Sequence, residues 1–155
     1  MMKILEIKTK GEKETKKVAE MFGREILNLK TSKAVAIGLE GDLGAGKTTF
    51  TKGFAKGLGI KEEMKSPTFI LMRVFRISRI KNKELRIRHF LHFDAYRIDS
   101  AREFASLGFE DFLKDAENIL LIEWSDKIKK ILPENYFLFR FKHLGKNNRL
   151  ITLFT

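Results

Sequence analysis

The stretch "LEGDLGAGKTTF", residues 39–50, places three glycines ahead of a lysine and two threonines. Gly41, Gly46, Lys47 and Thr48 match the pattern G-x-x-x-x-G-K-[ST]. With glycine at ~7% of residues, a chance match in a chain of this length is on the order of one in a hundred or less. The glycines let the backbone turn with positive φ and aim its N–H groups into a concave nest. The segment Gly41, Asp42, Leu43, Gly44, Ala45, Gly46, Lys47, Thr48, Thr49 is therefore a candidate phosphate cradle, reinforced by the positive end of the helix that follows it. Lys47 can reach β and γ phosphate oxygens as a point charge. The Thr48 hydroxyl can hold Mg²⁺. A plain turn before a helix accounts for the glycines but not for Lys47 and Thr48.

A phosphate cradle binds nucleotide; hydrolysis or transfer also needs a metal-side carboxylate and a group that orients the attacking water. Two acids close apolar runs, Glu123 in "ILLIEW" and Asp94 in "FLHFD". In a parallel α/β sheet both fall at the carboxyl edge, where ligands bind. Glu123 has the cleaner setting and is the expected Mg²⁺-side carboxylate, acting through water. Asp94 is expected to orient water or to sit near the γ-phosphate. Asp42, inside the loop, either serves hydrolysis or caps the turn. In Ser66-Pro67-Thr68 the proline sets a bend, and Thr68 is either a γ-phosphate sensor or part of a turn before a strand. Alternation points Trp124 away from Glu123, so a core role is expected. His92 in "HFD" reads as a packed histidine.

These residues need elements to position them. "KILEIKT" alternates and reads as a strand, and "KAVAIGLEG" as a buried one. Lys13 to Leu29 reads as a helix, with Val18, Met21, Phe22, Ile26 and Leu29 at helical spacing. Thr48 to Leu58 reads as another, with Phe50, Phe54 and Leu58 on one face and Gly59 as its stop. "SPTFILMRVFRIS" and "ELRIRHFLHFD" read as strands joined by the turn "RIKNKE". Glu103 to Lys114 reads as a helix broken at Gly108, "NILLIEW" as a buried strand, and Asp126 to Leu132 as a short helix ended by Pro133. "YFLFRFKHL" and "RLITLF" form a hairpin around "GKNN". Strands and helices alternating through the middle predict an α/β sheet covered on both faces, partly antiparallel because of its hairpins.

The chain has 155 residues, the size of a single domain spanning 1–155. It has no cysteine, which excludes disulfides and thiolate zinc sites, and three histidines, too few for a histidine-rich metal centre. No run approaches the ~20 apolar residues of a membrane helix, and the N-terminus lacks a signal-peptide h-region; the expectation is a cytoplasmic protein without a membrane partner. The net charge of +11 favours an anionic partner, although a lysine-rich solvated surface also fits. Seven Arg/Lys fall in the sixteen residues from Arg73 to Arg88. They suit RNA backbone or an acidic protein, or protect a hairpin edge.

"GDLGAGKTTFTKGFAKGLGI", "KSPTF", "HFDAYRI", "LGFEDFL" and "ILLIEW" occur in the order found in the TsaE (YjeE) type of P-loop ATPase, which serves tRNA threonylcarbamoyladenosine biosynthesis. The chain closely resembles that family from about Thr15 to Pro133, with a weaker tail. The resemblance implies a P-loop NTPase-like three-layer α/β sandwich with a mixed sheet and antiparallel hairpins. It implies a Mg²⁺-dependent ATPase, weak in isolation. Such an ATPase binds and resets the complex of the threonylcarbamoyl transferase subunit and its pseudo-enzyme partner, which modifies adenosine 37 of tRNA. By the same resemblance Thr48 and Glu123 are the Mg²⁺ residues and Asp94 the switch-like acid. Thr68 and Trp124 lie at the active face. Thr15 is near the adenine, and Arg149, or Lys146 in its place, packs on the nucleotide. The chain departs from the family in a longer, more basic segment before "HFDAYR", and in Met72 and Arg73 where an acid often follows the SPT motif. Contact with tRNA, direct or indirect, stays open. A GTPase-like reading fails because Asp94 is followed by "AYR" rather than x-x-G, and Asn82-Lys83 by Glu84-Leu85 rather than x-D. An ATP-gated binding module, in which nucleotide only sets a shape for a partner, remains the non-enzyme alternative.

Overall fold

The computed structural model describes residues 1–65, 70–78 and 86–155. Seven strands form one sheet: β1 (Lys3–Lys10), β2 (Val35–Glu40), β3 (Met72–Arg76), β4 (His89–Asp94), β5 (Asn118–Glu123), β6 (Phe137–His143) and β7 (Asn148–Phe154). Their order is β1-β7-β6-β2-β5-β4-β3. The inner pairs β6–β2, β2–β5 and β5–β4 are parallel. β1 and β7 on one side and β3 on the other run antiparallel to their neighbours. All six residues of β5 are buried, as a parallel strand covered on both faces requires.

The coverage follows the period of two along each strand. Ile119, Leu121 and Phe90 face the layer built by α1 (Gly11–Ile26) and α2 (Lys47–Gly57). Leu120, Ile122, Leu91 and Phe93 face the opposite layer, built by α3 (Ala101–Ala105), α4 (Phe109–Lys114) and a 3₁₀ helix over Ser125–Ile131. Phe50, Phe54 and Leu58 are fully buried on one face of α2, as their spacing predicts. Each such side chain contributes roughly 1.5–3 kcal/mol by leaving water.

Several boundaries differ from the sequence expectation. The first helix starts at Gly11 and ends at Ile26, and Met21 and Leu29 are exposed. Ile26 is buried and Phe22 packs against the core as expected, and Thr15, Ala19 and Gly23 complete the buried face, because α1 packs so closely on α2 that small residues must fill the seam. β3 begins at Met72, just after Leu71, whose φ of 61° breaks extension. The Asp126–Leu132 helix is 3₁₀, with non-helical angles at Ile128. The expected turn "RIKNKE" and the Ser66-Pro67-Thr68 bend lie outside the described residues.

Candidate active site

The strand register brings three chain segments to one level at the carboxyl edge of the sheet. Leu39 pairs with Glu123, and Glu123 with Asp94. The glycine-rich loop leaves β2 at this edge and enters α2 at Lys47. Gly41, Gly44 and Gly46 all have positive φ. At Gly46 the requirement is also steric, because a Cβ there would stand 2.6 Å from the Arg149 Nε. Absence of a side chain is what lets β7 lay Arg149 against the loop.

A cleft of ≈ 420 Å³ opens above the loop, and its walls include Lys47, Thr48, Thr49, Asp94, Glu123 and Arg149. Lys47 is buried. Its ammonium donates to the carbonyls of Gly41 and of Asp42, the latter at 2.9 Å, and lies 3.7 Å from the centroid of the Trp124 ring. Burial pulls its pKa below the ordinary 10.5, against the opposing pull of Glu123, Asp126, Asp42 and Asp94. Anionic oxygens entering the cleft would relieve that desolvation.

Glu123 is 2% exposed. Thr48 donates to its Oε2 at 2.9 Å. Its Oε1 lies 3.1 Å from the Thr51 hydroxyl and 2.9 Å from His92 Nε2. Burial pushes the carboxyl upward, but the hydrogen bonds from His92, Thr48 and Thr51 outweigh it and hold the group below its ordinary 4.5. Asp94 is buried beside it and accepts from the Tyr96 N–H at 2.9 Å. The oxygen donors Thr48 and Glu123 suit Mg²⁺, which takes oxygen ligands and keeps several waters. Among the described residues no group of three or more His, Cys, Asp or Glu is arranged to hold a metal by itself.

Trp124 packs half-buried against the core of the α3–α4 layer, as expected, and also reaches the cleft. The strand ends at Glu123, and Trp124 adopts φ 60°, so strand alternation no longer applies. Its ring turns onto Lys47 and packs beside Tyr96, with centroids 5.0 Å apart. Asp42 is exposed, and its carbonyl accepts from the Ala45 N–H to close the loop. Leu43 stands 78% exposed at the cleft rim. Thr15 is fully buried, with its hydroxyl shared between Thr9 at 2.8 Å and the Gly11 carbonyl at 3.1 Å. The part of α1 that reaches the cleft wall is Glu12. Lys146 sits in the β6–β7 turn with φ 45°, whereas Arg149 faces the cleft. Thr68 lies outside the described residues. Sequence reasoning did not anticipate Thr51 or the polar role of His92. The signals were present: Thr51 follows Thr48 by three on a helix, and His92 shares a strand face with Asp94.

The molecule is an α/β protein in which a glycine-rich loop, a buried lysine and a helix N-terminus meet at the carboxyl edge of a mixed sheet, an arrangement that can hold an anion. A family model described as "Threonylcarbamoyl adenosine biosynthesis protein TsaE" matches residues 9–151, and the chain belongs to the TsaE family. It is 40% identical over 113 residues to the Haemophilus influenzae tRNA threonylcarbamoyladenosine biosynthesis protein TsaE, covering 73% of this chain and 66% of that one. It is 34% identical to the Bacillus subtilis protein of the same name, over 97% of this chain and 85% of that one. The crystal structure of Bacillus YdiB superposes with a TM-score of 0.72 at 30% identity, covering 99% and 86% of the two chains. The expected α/β fold is thereby borne out. No helix among the described residues is long and apolar enough to cross a membrane.

Proposed function

We propose that this chain is a Mg²⁺-dependent ATPase acting in tRNA threonylcarbamoyladenosine biosynthesis, where it binds and resets the threonylcarbamoyl transferase subunit and its pseudo-enzyme partner. The observation that carries the reading is the joining of Lys47, Thr48 and Glu123 across two elements at the glycine-rich loop. The TsaE names of the relatives supply the pathway.

In this reading the β and γ phosphates occupy the nest, and Lys47 exchanges its two carbonyl partners for phosphate oxygens. Thr48 and Glu123 would hold Mg²⁺, which would supply positive charge against the charge developing on the phosphate oxygens. Asp94 orients a water toward the γ-phosphorus. The water oxygen bonds to phosphorus, the bond to the bridging oxygen of ADP breaks, and inorganic phosphate and a proton leave. Arg149 rests on the nucleotide, consistent with a guanidinium Nε that is buried without a hydrogen-bond partner. Trp124 covers Lys47 until phosphate arrives, and turnover by the protein alone is expected to be weak. In the cell the work is assigned to the cytoplasm.

Calorimetry with ATP and with GTP, each with Mg²⁺, tests the reading on wild type and Lys47→Ala. The expected result is selective ATP binding, weakened about tenfold or more in the variant, the scale of a lost charge-assisted hydrogen bond. Equal GTP binding, or no loss without Lys47, overturns it. Hydrolysis is expected to rise on adding the transferase complex; a flat rate at saturating partner favours the ATP-gated module.

A further inference from the structure

The buried end of the Glu123 carboxylate is more completely specified than a metal ligand alone requires. Thr51 has one hydroxyl proton and two acceptors in reach, the Lys47 carbonyl and Glu123 Oε1, each at 3.1 Å. It cannot serve both fully. Thr48 is committed to the other oxygen, Oε2. The nitrogen on Oε1 is His92 Nε2, at 2.9 Å, and both side chains are sealed from water, 1% and 2% exposed. His92 Nδ1 is buried with no hydrogen-bond partner among the described residues. That fixes the tautomer: a proton on Nδ1 would leave an unpaired N–H in the interior and set a lone pair against a carboxylate oxygen. With the proton on Nε2, the ring donates to Oε1. The Phe90 ring lies nearly parallel beside it, 8° from coplanar in orientation.

We propose that His92 is the positioning residue of Glu123: its Nε2–H pins Oε1 inward and so turns Oε2 toward Thr48 and the cleft, where the cation binds. The inference deepens the Mg²⁺ reading above and rests on it. Outer partners that orient a ligand typically govern metal affinity by about 10–100-fold, whereas a hydrogen bond that only holds the fold leaves the metal dependence of nucleotide binding alone.

Three variants separate these cases. His92→Gln keeps an N–H the same number of bonds from the backbone as Nε2. His92→Phe removes the donor and keeps a flat ring beside Phe90. His92→Asn keeps polarity but falls short of Oε1. ATP dissociation constants are measured in excess Mg²⁺ and in EDTA at a temperature where each variant is folded by circular dichroism. Affinity in EDTA is expected to stay within about twofold of wild type throughout. In Mg²⁺ it is expected to fall about tenfold or more for His92→Phe and His92→Asn, and to return largely to wild type in His92→Gln. If His92→Phe does not fold, His92→Asn against His92→Gln carries the same comparison. A Mg²⁺-dependent gain that survives donor removal, or an equal loss in EDTA and Mg²⁺, overturns the positioning role while leaving the ATPase reading standing. A wild type that shows no Mg²⁺-dependent gain overturns both.

Discussion

Two side chains decide what the cleft can do, and both are held in states that ligand or pH should disturb. Lys47 is parked on two loop carbonyls and under the only tryptophan of the chain. Phosphate entry must draw the ammonium away from that ring, so Trp124 emission is expected to change on adding ATP with Mg²⁺. The change should vanish in Lys47→Ala, as a fluorescence titration would record. Glu123 gives the pH prediction. Its folded pKa lies below the ordinary 4.5, so the folded state holds the proton less well than the unfolded chain. The stability this contributes is fully present above the unfolded value and is lost as pH falls through the folded one. Urea unfolding in mildly acidic buffers should therefore show stability falling below about pH 5, and Glu123→Gln should flatten that fall. An identical pH slope in the variant would show that other carboxylates govern the loss.

At the scale of elements, the seam between α1 and α2 sets where the loop's helix can stand. A Cβ at Gly57 would lie 2.2 Å from the Glu20 carbonyl oxygen. Gly57→Ala gains helix propensity of about 1 kcal/mol, but the clash is with backbone, which cannot rotate aside. Overpacking of about 1–3 kcal/mol should win, and a net loss of stability is expected by urea denaturation. Lys52→Ala, on the exposed face of the same helix, should stay within about 0.5 kcal/mol of wild type. If Gly57→Ala were the stabilising one, the two helices would have room that their packing does not display.

For the whole molecule, the net charge of +11 is the property that any partner meets first. Arg73, Arg76 and Arg86 lie in or next to the described part of the basic segment, on the β3 side of the sheet, and Arg76 and Arg86 are exposed. If tRNA backbone docks there, its affinity should fall steeply with salt, and Arg86→Glu should lower the logarithmic salt slope by about 1 per lost phosphate contact. Filter binding of tRNA across a salt series measures this. Affinity indifferent to both changes assigns the basic edge to a protein partner or to solvation.

The loop, its strand and its helix were legible because their signals are local. A glycine pattern, an apolar run and a helical repeat of phenylalanines each state a backbone preference over a few residues. Asp94 and Glu123 each close an apolar run, which in a parallel sheet sets both at its carboxyl edge. The sequence by itself therefore determined the layers, the glycine-rich loop between strand and helix, and the two carboxylates at one edge. Tertiary structure decided the rest, since contacts between distant segments carry no local pattern. Thr48, Thr51 and His92 meet on Glu123 only because α2, β4 and β5 converge. Trp124 reaches Lys47 only because the chain reverses its φ where β5 ends, a conformation that no local pattern announces.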